Sequence, residues 1–234
     1  MLNKNNLKDI YSLTPLQEGM LFHSQFNSDS SAYIEQTDLL IEGRFNPEIF
    51  KKSWQLITQK YDAFRSLFIT KKADKPLQVI MKELNFDFKI ENISQLTSLE
   101  KQQALNQFRQ KDIKTGFNLS QGPLFRLAIF DLGQQQYQVI WTFHHIIMDG
   151  WSLGVILNDL FAFYKNLLAQ QNVEILDAPN YSVFVQWLAS RDQYEGLKYW
   201  KTYLTGIEKQ TKIPQKLEIN EKGFKLTKHA KSIS

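Results

Sequence analysis

One stretch, Tyr137-Gln138-Val139-Ile140-Trp141-Thr142-Phe143-His144-His145-Ile146-Ile147-Met148-Asp149-Gly150-Trp151-Ser152, dictates a strand, a turn and a helix in that order. The run to Phe143 is rich in β-branched and aromatic residues, which suit a strand. Asp149-Gly150 reads as a tight turn, because Gly tolerates positive φ. Leu153, Ile156, Leu157, Leu160, Tyr164, Leu167 and Leu168 then recur at helical spacing and predict an amphipathic helix of about 18 residues. A strand that hands histidine to a turn before a helix aims a base into a cleft. Side chains alternate along a strand, so Val139, Trp141, Phe143 and His145 share one face and Ile140, Thr142 and His144 the other. The two imidazoles therefore do not act on one substrate atom together: one sits in a structural hydrogen-bond network and the other faces a cleft. The same alternation argues against a shared metal, since zinc needs three or four convergent ligands and the chain has four His and no Cys.

The rest of the sequence sets the frame. A chain of 234 residues, 43% hydrophobic and 13% aromatic, can build a sizeable core as one large domain or two small ones. No run approaches the roughly 20 apolar residues that span a bilayer, and the start lacks a signal-peptide core. The absence of Cys excludes thiol catalysis and disulfides and fits a cytoplasmic protein. The net charge of +4 is uneven. Residues 201–234 hold eight Lys against three Glu, or +5, which leaves 20 basic and 21 acidic residues, or −1, in residues 1–200. The basicity thus belongs to a tail that reads as a solvated linker, and no nucleic-acid-binding patch is evident.

Local signals divide the chain into helices and strands. Thr14-Pro15-Leu16-Gln17 forms a capping box with Pro at the first helical position, predicting a helix to about His23. Asn46-Pro47 opens another, with Ile49, Phe50, Trp54, Ile57 and Tyr61 on one face. A third is predicted from Ser98, as its cap, to about Ile113. Strands are expected over Tyr33–Glu42, Phe64–Thr70, Leu77–Lys82, Phe86–Glu91, Pro123–Asp131 and Tyr137–Phe143. The last two are joined as a hairpin through 132–136. Helices over Tyr181–Arg191 and Tyr194–Leu204 follow, and the compact body ends near Gly206. Helices interleaved with a mixed set of strands predict an α/β layered sandwich.

Four segments, in order, resemble the condensation domains of nonribosomal peptide synthetases. His144-His145-Ile146-Ile147-Met148-Asp149-Gly150 matches their HHxxxDG motif. Leu13-Thr14-Pro15-Leu16-Gln17-Glu18-Gly19-Met20-Leu21-Phe22-His23 resembles the opening motif. Phe64-Arg65-Ser66-Leu67-Phe68 resembles a Leu-Arg-Thr-x-Phe core, with Ser66 in place of Thr. Tyr181 to Trp187, followed by Tyr199-Trp200, resembles the fourth. Trp151-Ser152-Leu153-Gly154 is as in amide-forming members. The resemblance implies a chloramphenicol acetyltransferase-like two-layer sandwich, a mixed sheet with helices packed on it. It implies one lobe of a two-lobe domain, because the chain is about as long as one lobe plus a linker. On this reading residues 1–9 are a short docking segment, 10–206 the N-terminal lobe, and 207–234 a basic linker towards the other lobe.

The implied reaction is attack by a carrier-bound aminoacyl amine on a carrier-bound acyl or peptidyl thioester, giving an amide. The partners are donor and acceptor peptidyl carrier proteins, whose phosphopantetheine arms bring the substrates; no cofactor or metal is bound directly. The second His of the motif faces the tunnel in relatives, so His145 is the catalytic candidate, acting as a base or orienting the amine. His144 is expected to be a hydrogen-bonded core residue. Asp149 is expected to pair with Arg65 and hold the loop that aims His145. Gly150 and Trp151 are expected to border the approach of a phosphopantetheine arm. The opening motif begins within a dozen residues of Met1, which raises the expectation that the donor arrives in trans on an upstream subunit. As one lobe, the isolated piece is expected to be inactive. The alternative reading is a non-catalytic half-domain that binds a carrier or a docking peptide. A free-standing trimeric acetyltransferase fits less well, since there the motif lies near the C-terminus.

Overall fold

The structure, a computed structural model, describes residues 4–26, 31–70, 75–176 and 178–208. The chain divides into two units, residues 1–190 and 191–234. The expected linker beyond residue 208 and the first three residues of the expected docking segment lie outside the described residues.

In the first unit, capping chemistry sets the helix starts. Helix α1 (Pro15–Phe26) begins as its capping box predicts: Gln17 Oε1 accepts from the Thr14 N–H at 3.0 Å and the Gln17 N–H meets Thr14 Oγ1 at 3.4 Å. Helix α2 (Pro47–Lys60) is capped by Asn46, whose Oδ1 accepts from the N–H groups of Glu48 and Ile49. Helix α3 (Ser98–Thr115) corrects the sequence reading by one residue. Its cap is Thr97, because only Thr97 has a Glu three positions on, and Glu100 closes the reciprocal box. Helix α4 (Gly150–Leu168) follows Asp149 as N-cap, and α5 (Tyr181–Ala189) completes the unit.

Among the described residues, seven strands form two sheets: β1 (Leu7–Ser12), β2 (Ile34–Glu42), β3 (Ser66–Ile69), β4 (Leu77–Met81), β5 (Asp87–Asn92), β6 (Phe125–Gly133) and β7 (Gln136–His144). The first sheet is antiparallel in the order β1-β4-β3, and the second runs β2-β7-β6-β5. The second is mixed because β5 pairs parallel with β6. β1 is an addition to the expected strands, and it includes Leu7, Lys8 and Asp9 of the expected docking segment. The β6–β7 hairpin is tighter than predicted, with Gln134 and Gln135 both at positive φ (52° and 57°), as a two-residue type I′ loop demands.

The interior strand β7 is buried on both faces from Val139 onward. Val139, Trp141 and Phe143 enter the main core with Phe50, Trp54 and Ile57 of α2 and Ile156, Leu160 and Phe163 of α4. Ile140 turns the other way, towards Leu105 of α3 and Phe130 of β6. Helices thus cover both faces of the second sheet. Of its predicted stripe α4 buries Ile156 and Leu160; Leu153, Leu157, Tyr164 and Leu167 are half-buried, Leu168 is exposed, and Phe163, outside that stripe, is buried. α2 and α4 are also clamped by Asp159, which accepts from Tyr61 Oη at 2.5 Å and Lys60 Nζ at 2.6 Å. Burial, then Asp159, raises the Tyr61 phenol pKa. The second unit is described over α6 (Gln193–Tyr203), where Tyr199, Trp200 and Tyr203 form ring contacts and no residue is buried.

Candidate functional site

The end of β7 is fixed by main-chain bonds before any side chain acts. The His144 N–H donates to Leu124 O at 2.9 Å, and the His145 N–H donates to Tyr33 O at 2.8 Å. The strand stops at His144, so His145 lies in the following turn rather than being placed by strand alternation. The Ile147 N–H closes that turn on His144 O at 3.2 Å.

The two imidazoles hold their protons on different nitrogens. The Ile146 N–H donates to His144 Nδ1 at 3.1 Å, which leaves the His144 proton on Nε2, facing Ser24 Oγ at 3.4 Å. Ser24 Oγ donates in turn to Met20 O of α1. His144 is 4% exposed, and burial, with the charge of His145 adding, lowers its pKa to about 4. It is the hydrogen-bonded core histidine the sequence suggests. His145 is half-buried and its Nδ1 lies 2.7 Å from Met148 O. A carbonyl accepts, so Nδ1 carries the proton and the lone pair is on Nε2. No hydrogen bond to His145 Nε2 is formed among the described residues.

Asp149 and Arg65 do not form the expected pair. Asp149 Oδ1 caps α4, accepting from the Ser152 N–H at 2.9 Å and Ser152 Oγ at 2.7 Å. These bonds hold its carboxyl below the usual range. Arg65 sits in a short 3-10 turn, Asp62–Arg65, and is buried. Its guanidinium donates to Asp62, Thr58 O, Gln59 O at 2.7 Å and Met81 O at 2.9 Å. Every guanidinium nitrogen is thus occupied by a nearer acceptor. Burial lowers the Arg65 pKa, opposed by Asp62. The true partner is the carboxylate three residues before Arg65, not the distant one.

Gly150 is also corrected. It is the first residue of α4, with no positive φ, and not the pivot of a tight turn. A Cβ built on it meets nothing within 4 Å, so the chain leaves open space there. Trp151 beside it is 90% exposed. His144, His145, Asp149, Gly150 and Trp151 are therefore gathered at one strand–turn–helix junction, and Arg65 supports a different junction, between α2, β3 and β4. On α5, burial raises the Tyr181 phenol pKa, a Thr14 hydrogen bond opposes this, and the Asp149 charge adds to the rise. Among the described residues no three His, Asp or Glu side chains are grouped as metal ligands, and no helix is long and apolar enough to cross a membrane.

β7 ends at His144, His145 follows in the turn, and helices cover both faces of the mixed sheet, an architecture shared with solved condensation domains. Residues 7–234 match the Condensation domain family, and the chain belongs to that family, the condensation domains of nonribosomal peptide synthetases. It is 38% identical over 213 residues to gramicidin S synthase 2 of Brevibacillus brevis, covering 91% of this chain and 5% of that protein. It is 34% identical over 234 residues to tyrocidine synthase 2 of Brevibacillus parabrevis, covering 100% and 6%. It is 33% identical to surfactin synthase subunit 3 of Bacillus subtilis (strain 168), covering 95% and 17%. The chain thus spans a small part of the length of each of these synthetases. The fold matches the starter condensation domain of rhizomide synthetase, with a TM-score of 0.74 at 22% identity. That match covers 85% of this chain and 48% of the other, so the chain spans about half of the solved domain. The first condensation domain of the calcium-dependent antibiotic synthetase gives a TM-score of 0.71 at 17% identity.

Proposed function

We propose that this chain is the N-terminal half of an amide-forming condensation domain and that His145 serves the acceptor amine. The amine nitrogen attacks the thioester carbon of the donor, a C–N bond forms, the C–S bond breaks, and the freed thiolate takes up a proton. The amine must shed a proton along the way, and a positioned base supplies about 10²–10⁴-fold in rate. The observation that carries the proposal is the His145 Nδ1 contact to Met148 O at 2.7 Å. It fixes the ring and leaves Nε2 as the acceptor, in a half-buried place beside open space at Gly150.

The substrates are acyl or peptidyl and aminoacyl groups on donor and acceptor carrier proteins, with the phosphopantetheine arm passing Gly150 and Trp151. His144 and Asp149 shape the turn, one from the core and one as the cap of α4, and Arg65 braces the first sheet through Met81 O. The basic stretch 207–234 leads towards the second lobe, without which the isolated half is inactive. The proposal includes the cytoplasmic location expected from the cysteine-free sequence.

The test is His145→Ala in the intact synthetase subunit, with both carriers loaded and the product followed by mass spectrometry. Amide formation falls at least about 100-fold while carrier loading persists. A rate within threefold of the parent removes His145 from the chemistry.

A further inference from the structure

Gln17 is a buried polar side chain that the mechanism leaves unused. Gln17 of α1 is 7% exposed, and as an N-cap partner it needs only its oxygen. Its amide nitrogen reaches elsewhere, donating to Ile146 O at 3.3 Å and to Gln78 Oε1 at 3.0 Å. Gln78, on β4 and also buried, donates onward to Ser66 Oγ at 2.8 Å, and Ser66 Oγ donates to Asp62 O at 3.2 Å. A single relay thus joins α1, the first sheet and the histidine turn. Ile146 follows His145 directly, and its N–H is already committed to His144 Nδ1. The Gln17 bond therefore fastens the remaining main-chain group of Ile146, the first of the two residues between His145 and Met148.

We infer that Gln17 is a positioning residue for His145, holding the 145–148 turn so that Nδ1 meets Met148 O and Nε2 stays free. This rests on the role of His145 proposed above. A buried carbonyl stripped of its donor is costly, and the way to relieve it is to rotate the 146–147 peptide unit, which breaks the Ile147 N–H bond to His144 O and moves Met148, whose carbonyl orients the imidazole. Gln78 and Ser66 lie on the far side of Gln17; breaking the relay there leaves the Ile146 bond in place.

The experiment uses the intact synthetase subunit with preloaded carriers and compares Gln17→Glu, Gln78→Leu and His145→Ala. Glu keeps the oxygen that serves Thr14 and removes the donor that serves Ile146. Gln17→Glu lowers the single-turnover rate of amide formation more than tenfold, with the half-saturating acceptor-carrier concentration within twofold of the parent. The deficit narrows as pH falls, because a protonated carboxyl is again a donor. Gln78→Leu, although it lowers the melting temperature, keeps the rate within threefold. A Gln17→Glu rate within threefold of the parent overturns the inference, and so does an equal rate loss in Gln78→Leu, which would mark packing alone. If Gln17→Glu does not fold, Gln17→Met takes its place with the same rate criteria. An inactive His145→Ala beside an active Gln17→Glu defeats this inference only. A fully active His145→Ala defeats the role of His145 and this inference with it.

Discussion

His144 makes acid sensitivity a local property of the site. Its pKa falls from 6.5 to about 4 in the fold because burial disfavours the cation. Neutral His144 therefore favours the folded state, and the unfolded chain binds the extra proton as pH drops. The stabilisation is complete above about pH 6.5 and is lost progressively between there and about 4. Each pH unit in that window is worth about 1.4 kcal/mol. Between pH 7 and pH 5 this residue alone lowers folding stability by about 2 kcal/mol. The assay is denaturant unfolding followed by the fluorescence of the buried Trp54 and Trp141, at half-unit steps from pH 7 to pH 5. It is run on the parent and on His144→Gln, which cannot titrate. Other groups contribute equally to both curves, so the stability gap between parent and variant should shrink by about 2 kcal/mol across the range. A gap that stays constant to within about 0.5 kcal/mol would mean that His144 is not neutral by burial, and the account of its proton on Nε2 would fall.

Other substitutions probe the corrected contacts. Asp149→Ala should cost about 1 kcal/mol, as a lost N-cap does, whereas Asp62→Ala strands the buried Arg65 charge and should cost about 3–5 kcal/mol; equal losses in thermal melts would contradict the assigned partners. Thr97→Ala should destabilise by about 1 kcal/mol and Ser98→Ala by no more than about 0.5, with the reverse order returning the cap to Ser98. Replacing Gln134-Gln135 by Asn-Gly should stabilise by about 1 kcal/mol, since both positions hold left-handed backbone, and a lowered unfolding midpoint would rule out the type I′ loop.

What the sequence made legible were features that repeat along the chain or sit next to their cause. The α1 capping box, the α2 stripe and the β6–β7 hairpin each depend on neighbours within a few residues. β1 was illegible because its burial follows no alternating pattern, so it carries no period-two signal; its place comes from pairing with β4, some 70 residues away. The histidine junction was legible as a motif, but proton placement was not, because it depends on Met148 O and Ile146 N–H, which no side-chain identity encodes. Arg65 drew the wrong partner because buried position and charge were visible while the 3-10 turn bringing Asp62 to it was not. Gln17 was visible as a cap, and its second task required knowing that Ile146 O lies across the α1 interface.

The group that orients His145 is the oxygen of Met148, which every amino acid possesses. Swapping side chains one at a time through this junction is therefore blind to it, however complete the survey. Altering the spacing between positions 145 and 148, by adding or removing a residue, reaches that contact directly.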